Sequence, residues 1–316
     1  MLVSLSPHLN PFAPWLDAAS TLGSMFFVPR SDQRIENLAV DAFAMTECHE
    51  DHSLFVPPGI KCNAPMVVML HGATQDPADF AAGTAMNEAA ARRGFIVLYP
   101  AQPSTAHPHR CWNWFDSRHQ RRSEGEPARL ASLTLDVARQ HGVDKRRIYV
   151  AGLSAGGAMA ALLGELFPDV YAAVGVHSGL APLVANDLST ALSAMRGDGR
   201  RLVETPSGMP TIVFHGDKDS TVHFLNGEQI IDACVGPDRR SKSSEHVGSD
   251  GRRFTRSSYA GARRGTLAEH WTIHDATHAW SGGRTAGTFA DPLGPDASGE
   301  MLRFFGGHEL PNPRAH

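Results

Sequence analysis

Between residues 148 and 167 the chain passes from an apolar run straight into a helical one, and the junction is Gly152-Leu153-Ser154-Ala155-Gly156. Ile148 to Ala151 reads as a short buried strand, and Ala155 to Phe167, rich in Ala, Met and Leu, as a helix. A turn that tight is strained. Gly152 and Gly156 have no Cβ, so the backbone can crowd there while Ser154 projects its hydroxyl at a helix N-terminus, where partial positive charge favours a developing oxyanion. Ser154 is therefore the candidate nucleophile.

The same alternation runs along most of the chain. Strands are expected at His52 to Val56, Met66 to Leu70, Phe95 to Tyr99, Tyr171 to Val176, Thr211 to Phe214 and His270 to Ile273. Helices are expected at Phe80 to Arg93, Pro127 to about His141, Asn226 to Cys234 and Ala297 to Phe305. Strands alternating with helices imply an α/β fold with a mostly parallel central sheet covered by helices on both faces. Residues 1–45 carry several prolines and no periodicity, so they read as an irregular N-terminal arm ahead of one catalytic domain over residues 46–316. Arg239 to Arg264, polar and rich in Ser, Arg and Gly, reads as an exposed excursion with no more than an edge strand.

Composition removes several classes. The formal net charge of -4 over 316 residues is dispersed, and the basic clusters Arg118 to Arg122 and Arg252 to Arg256 read as solvated loops, so no nucleic-acid footprint is present. No apolar stretch approaches the roughly 20 residues of a membrane span. The first 27 residues lack a basic leading region and are broken by Pro7, Pro11 and Pro14, so the expected compartment is the cytoplasm, with secretion as the alternative. Cys48, Cys62, Cys111 and Cys234 lack metal-type spacing and are expected to be reduced thiols. No metal or organic cofactor is expected.

In an open α/β sheet, ligands bind beyond the carboxyl ends of the strands. After the strand ending at Leu70, Gly72 permits a sharp turn, and the amide of Ala73, paired with that of Ala155, would form a two-donor oxyanion hole. After Phe214 the loop offers Asp217 and Asp219, either of which could orient a histidine. After Ile273 come His274 and His278; an imidazole titrates near neutrality and suits a general base. Ser154, Asp219 and His278 follow three separate strands in the order nucleophile, acid, histidine of α/β-hydrolase chains.

At these residues the chain resembles the polyhydroxybutyrate depolymerase family of esterases, whose short-chain-length polyhydroxyalkanoate depolymerase catalytic domains are related to feruloyl and acetylxylan esterases. The resemblance rests on Leu70-His71-Gly72-Ala73-Thr74-Gln75, Cys111-Trp112-Asn113-Trp114-Phe115, the Ser154 turn, His215-Gly216-Asp217-Lys218-Asp219, and His278-Ala279-Trp280-Ser281-Gly282-Gly283. The closing run Asp291 to Ser298 also matches, and the likeness covers about residues 50 to 305. It implies an α/β-hydrolase fold with Ser154 as nucleophile, Asp219 rather than Asp217 as acid, and His278 rather than His274 as base.

Many relatives carry cysteine where this chain has Ala73. A disulfide to that loop is thus not expected, and Cys111 is expected to be unpaired, while the backbone donor survives. Trp112 and Trp280 are expected to contact substrate, and Trp114 and Phe115 read equally as core. The expected activity is hydrolysis of 3-hydroxybutyrate-type oligoesters or polyhydroxyalkanoate through an acyl-enzyme. With no surface-binding module after the last helix, small esters or soluble oligomers are expected ahead of solid polymer. The rivals are a feruloyl or acetylxylan esterase, acyl transfer to an alcohol, and a catalytically silent binding protein on the same fold.

Overall fold

Five strands of the sheet have every residue buried: β3 (Met66–Leu70), β4 (Ile96–Pro100), β5 (Ile148–Leu153), β6 (Ala173–His177) and β7 (Thr211–Gly216). Strands apolar on both faces need cover on both, and parallel neighbours joined through helices provide it. The computed structural model describes residues 43–199, 201, 205–236, 240–261 and 265–312. The expected arm, residues 1–45, lies outside them except for its last three residues, of which Phe43 and Met45 pack on the core.

These strands join β1 (Glu47–Cys48), β2 (His52–Phe55), β8 (Ser241–Val247), β9 (Arg253–Ala260) and β10 (Thr266–Ile273) in one sheet, ordered β1-β2-β4-β3-β5-β6-β7-β10-β9-β8. The run from β4 to β10 is parallel, and antiparallel strands flank it at both edges. The helices are α1 (Pro77–Thr84), α2 (Met86–Arg93), α3 (Gly125–Gln140), α4 (Ala155–Leu166), α5 (Leu188–Ser193), α6 (Leu225–Val235) and α7 (Ala297–Phe305). Helix α2 packs on α7, and α3 on α4. Strands β11 (Trp280–Ser281) and β12 (Ala290–Asp291) pair separately, beyond the end of β10. The arrangement is the expected α/β-hydrolase fold.

Three parts of the fold differ from what the sequence predicts. The single helix expected over residues 80–93 is broken at Ala85, which adopts φ 51. The carbonyls freed by the break are taken from outside: Arg284 donates its amide to Gly83 O at 2.8 Å, and Ser298 its hydroxyl to Thr84 O at 2.7 Å. Partners two hundred residues away decide the break, so local periodicity carries no sign of it.

The polar excursion, in turn, contains two strands. Strand β8 is exposed along its whole length, which removes the apolar alternation that would mark it. Strand β9 pairs antiparallel with β10, and Arg256 adds a bond across them by donating to the buried carboxylate of Glu269 at 2.7 Å. The short helix α5, with its capping box between Asp187 and Thr190, was also not expected.

Candidate active site

Ser154 stands between β5 and α4 at φ 57, ψ -120, a conformation that L-residues rarely adopt. The crowding around it leaves no room for side chains at its flanks. A Cβ on Gly156 would lie 2.1 Å from Leu70 O, and one on Gly152 would lie 2.4 Å from the carbonyl carbon of Gly156. The Ser154 amide donates to His177 O at 2.9 Å. Its Oγ is buried and has no hydrogen-bond partner among the described residues. A polar atom in that state is a candidate for chemistry, because structural hydroxyls find partners.

The loop after β3 is organised around one free amide. Gly72 N–H donates to Gln75 Oε1 at 2.9 Å, and Thr74 N–H to His109 O at 2.7 Å. Between them, the Ala73 amide has no acceptor among the described residues. Ala155 opens α4, and first-turn amides have no intrahelical acceptor. Both amides proposed for an oxyanion hole are therefore available. His71 braces the loop: its Nδ1–H donates to Gly72 O at 2.8 Å, and its Nε2 accepts from Gln102 N–H at 3.2 Å. Burial pushes its pKa down to about 4, against the opposing pull of the Gly72 carbonyl and Asp76.

Asp219 and His278 are joined. His278 Nδ1 lies 2.7 Å from Asp219 Oδ2, so the ring carries its proton there and leaves Nε2 as the basic nitrogen. Asp219 Oδ1 accepts from the amides of Thr221 at 2.9 Å and Val222 at 2.8 Å. Burial alone would raise the Asp219 pKa. The facing imidazoles of His278 and His215 outweigh it and hold the carboxyl well below the usual carboxylate range. The other candidates pair with each other: His274 Nδ1–H donates to Asp217 Oδ2 at 3.0 Å, and His274 Nε2 accepts from Thr255 Oγ1 at 2.9 Å. With both ring nitrogens occupied, His274 is a strut between the loop after β7 and strand β9.

The two tryptophans expected at the substrate are both buried. Trp112 is 0% exposed and donates its indole N–H to His71 O at 3.0 Å. Trp280 is 1% exposed, packs edge-on against Phe80, stacks on His177 and donates to Ser298 Oγ. An indole N–H that is buried must find an acceptor, and here both acceptors belong to the scaffold. The surface beside His278 is instead Phe289, half-buried and edge-on to the imidazole at 6.3 Å.

Two further residues tie the loops together and were not anticipated. His177 gives its carbonyl to the Ser154 amide and its Nε2 to the Ser281 amide at 3.0 Å, linking the nucleophile turn to the histidine loop. Burial, reinforced by His215 and His278, pushes its pKa down to about 3. Gln75, whose Oε1 holds Gly72, donates through Nε2 to Asp79 Oδ2 at 2.9 Å and to Thr288 O at 3.0 Å, next to Phe289. All four cysteines are free, and burial pushes the Cys111 thiol up to about 12. Among the described residues no group of three or more His, Cys, Asp or Glu side chains is arranged to hold a metal ion, and no helix is long and apolar enough to cross a membrane.

A serine strained at a strand-to-helix turn, at the carboxyl end of a mostly parallel sheet with helices on both faces, defines an α/β hydrolase. Within that class the chain belongs to the esterase PHB depolymerase family, whose family model matches residues 51–236. Poly(3-hydroxyalkanoate) depolymerase C of Paucimonas lemoignei is 29% identical over 242 residues, covering 71% of this chain and 56% of that protein. Feruloyl esterase B of Thermothelomyces thermophilus is 33% identical over 132 residues, 40% of this chain and 43% of its own length. The chain thus spans about half the length of these curated relatives. An acetyl xylan esterase from Aspergillus awamori shares the fold, with a TM-score of 0.61, 17% identity, and coverage of 81% of this chain and 93% of that one.

Proposed function

We propose that this chain hydrolyses carboxylic esters through Ser154, His278 and Asp219. His278 Nε2 takes the Ser154 proton as Oγ attacks the ester carbonyl, and the Ala73 and Ala155 amides receive the oxyanion. The imidazolium, steadied by Asp219, then protonates the departing alcohol, and water releases the acid by the same route. The observation that carries this reading is the 2.7 Å contact of Asp219 with His278, while Asp217 is engaged with His274. Substrate is a small ester or oligoester of the 3-hydroxybutyrate type, the class suggested by the family and by the depolymerase relative.

A second reading, a feruloyl or acetylxylan esterase, draws on the feruloyl esterase relative and the shared fold of the acetyl xylan esterase. Turnover of a hydroxybutyrate dimer against methyl ferulate and a simple acetate ester separates the two. Ser154→Ala should lose about a thousandfold or more in kcat on whichever ester is preferred, with a remainder from binding and oxyanion stabilisation. Parental activity in that variant ends the proposal. Absence of fluorophosphonate labelling at Ser154 would restore the reading of a catalytically silent binding protein.

A further inference from the structure

Behind Asp219 lie two imidazoles that the reaction as proposed does not use. His215, near the end of β7, places Nε2 at 2.8 Å from Val222 O and 3.5 Å from Asp219 Oδ2. A carbonyl and a carboxylate only accept, so that nitrogen carries the ring proton. The opposite nitrogen, Nδ1, is buried without a partner among the described residues, and so is His270 Nε2 on β10.

The two rings share a face of the sheet, since β10 runs parallel to β7 with His270 opposite Val213, two residues before His215. They also share a neighbour. A Cβ on Gly227 of α6 would lie 2.7 Å from His270 Nε2 and 3.2 Å from His215 Nδ1, so a glycine leaves both nitrogens room. Nothing among the described residues accepts a hydrogen bond at Nδ1, while two oxygens wait at Nε2. The His215 tautomer is thereby fixed.

The carboxylate itself is asymmetric. Its Oδ1 is filled by the amides of Thr221 and Val222, which leaves Oδ2 to serve both His278 and His215. The titratable groups that face this cluster are His278 from the loop after β10, His215 from β7, His177 from β6 and His270 from β10. Burial pushes His177 and His270 each down to about 3, so neither adds charge near neutrality.

We infer that His215 is a positioning residue for the acid: its Nε2–H, anchored on Val222 O and held 3.5 Å from Asp219 Oδ2, steadies the carboxylate towards His278 and limits how strongly that carboxylate draws a proton onto the base. The inference rests on the reading of Asp219 and His278 as acid and base.

Rate–pH profiles of the parent, His215→Phe and His215→Gln, with kcat and KM resolved, test it. Phenylalanine keeps a ring but offers no N–H. Its variant should move the acid limb of kcat/KM to higher pH by about half to one unit, because a less solvated carboxylate holds the imidazolium longer. Its kcat should fall about tenfold with KM little changed, since the base loses orientation. Glutamine returns an N–H near the position of Nε2 and should restore both.

An unmoved acid limb in folded His215→Phe overturns the inference, as does a glutamine variant that behaves like the phenylalanine one. If the phenylalanine variant does not fold, ¹⁵N shifts of the native protein decide: an Nε2–H tautomer at His215 supports the inference, and an Nδ1–H tautomer overturns it. Failure of the underlying reading has a different signature, retained turnover in Ser154→Ala.

Discussion

Trp112 gives its indole proton to the carbonyl of His71, the residue whose ring braces the turn carrying Ala73. Replacing it with phenylalanine leaves that carbonyl unpaired in a dry interior, at a cost of about 1–3 kcal/mol. Trp112→Phe should therefore lower the midpoint of urea unfolding and reduce kcat on every ester by a similar factor. A loss confined to one acyl class would return the residue to the substrate pocket. Ser154, Asp219 and His278 could be picked from the sequence as candidates because each follows a stretch that reads as a strand. Choosing Asp219 over Asp217 needed the family resemblance, since each aspartate of that loop meets a histidine, Asp217 with His274 and Asp219 with His278. His177 carried no signal of its place, because it ends an apolar strand and its partners, the amides of Ser154 and Ser281, come from distant turns, whereas His215 stood in a recognised motif without a role attached.

At the scale of elements, the junction of α1 and α2 shows how tertiary contacts override periodicity. Ala85 adopts a left-handed conformation so that Gly83 and Thr84 can offer their carbonyls to Arg284 and Ser298. A Cβ in that conformation costs on the order of 1 kcal/mol, which glycine avoids. Ala85→Gly should therefore stabilise the fold by about 0.5–1 kcal/mol, read as a rise in Tm of about 2 °C. A fall in Tm would mean that the freed carbonyls, rather than the backbone of residue 85, carry the energy of the junction. Hairpin β8–β9 escaped the sequence reading for the complementary reason. Its strands are polar, and β9 is placed by its antiparallel ladder with β10, supported by the bond of Arg256 to Glu269.

For the whole molecule, three buried imidazoles link stability to acidity. Burial depresses His71 to about 4, and His177 and His270 to about 3, whereas an unfolded histidine titrates at about 6.5. Below about pH 6.5 the unfolded chain takes up protons that the folded one refuses, so stability is full above that value and declines towards the folded pKa values. At about pH 5 each ring should withdraw about 2 kcal/mol relative to neutrality, a sum comparable to the net stability of many domains. Asp219 adds a second loss at lower pH. Its folded pKa is depressed, so its contribution is present above about pH 4 and disappears as the pH falls further. Urea unfolding between about pH 7.5 and about pH 5 should show a free energy that falls steeply below about pH 6.5. His270→Phe, which removes one of the three buried rings, should make that slope shallower. A stability that stays level across the range would mean that the three rings accept protons in the folded state, and the picture of a dry, neutral histidine scaffold under the site would fall with it.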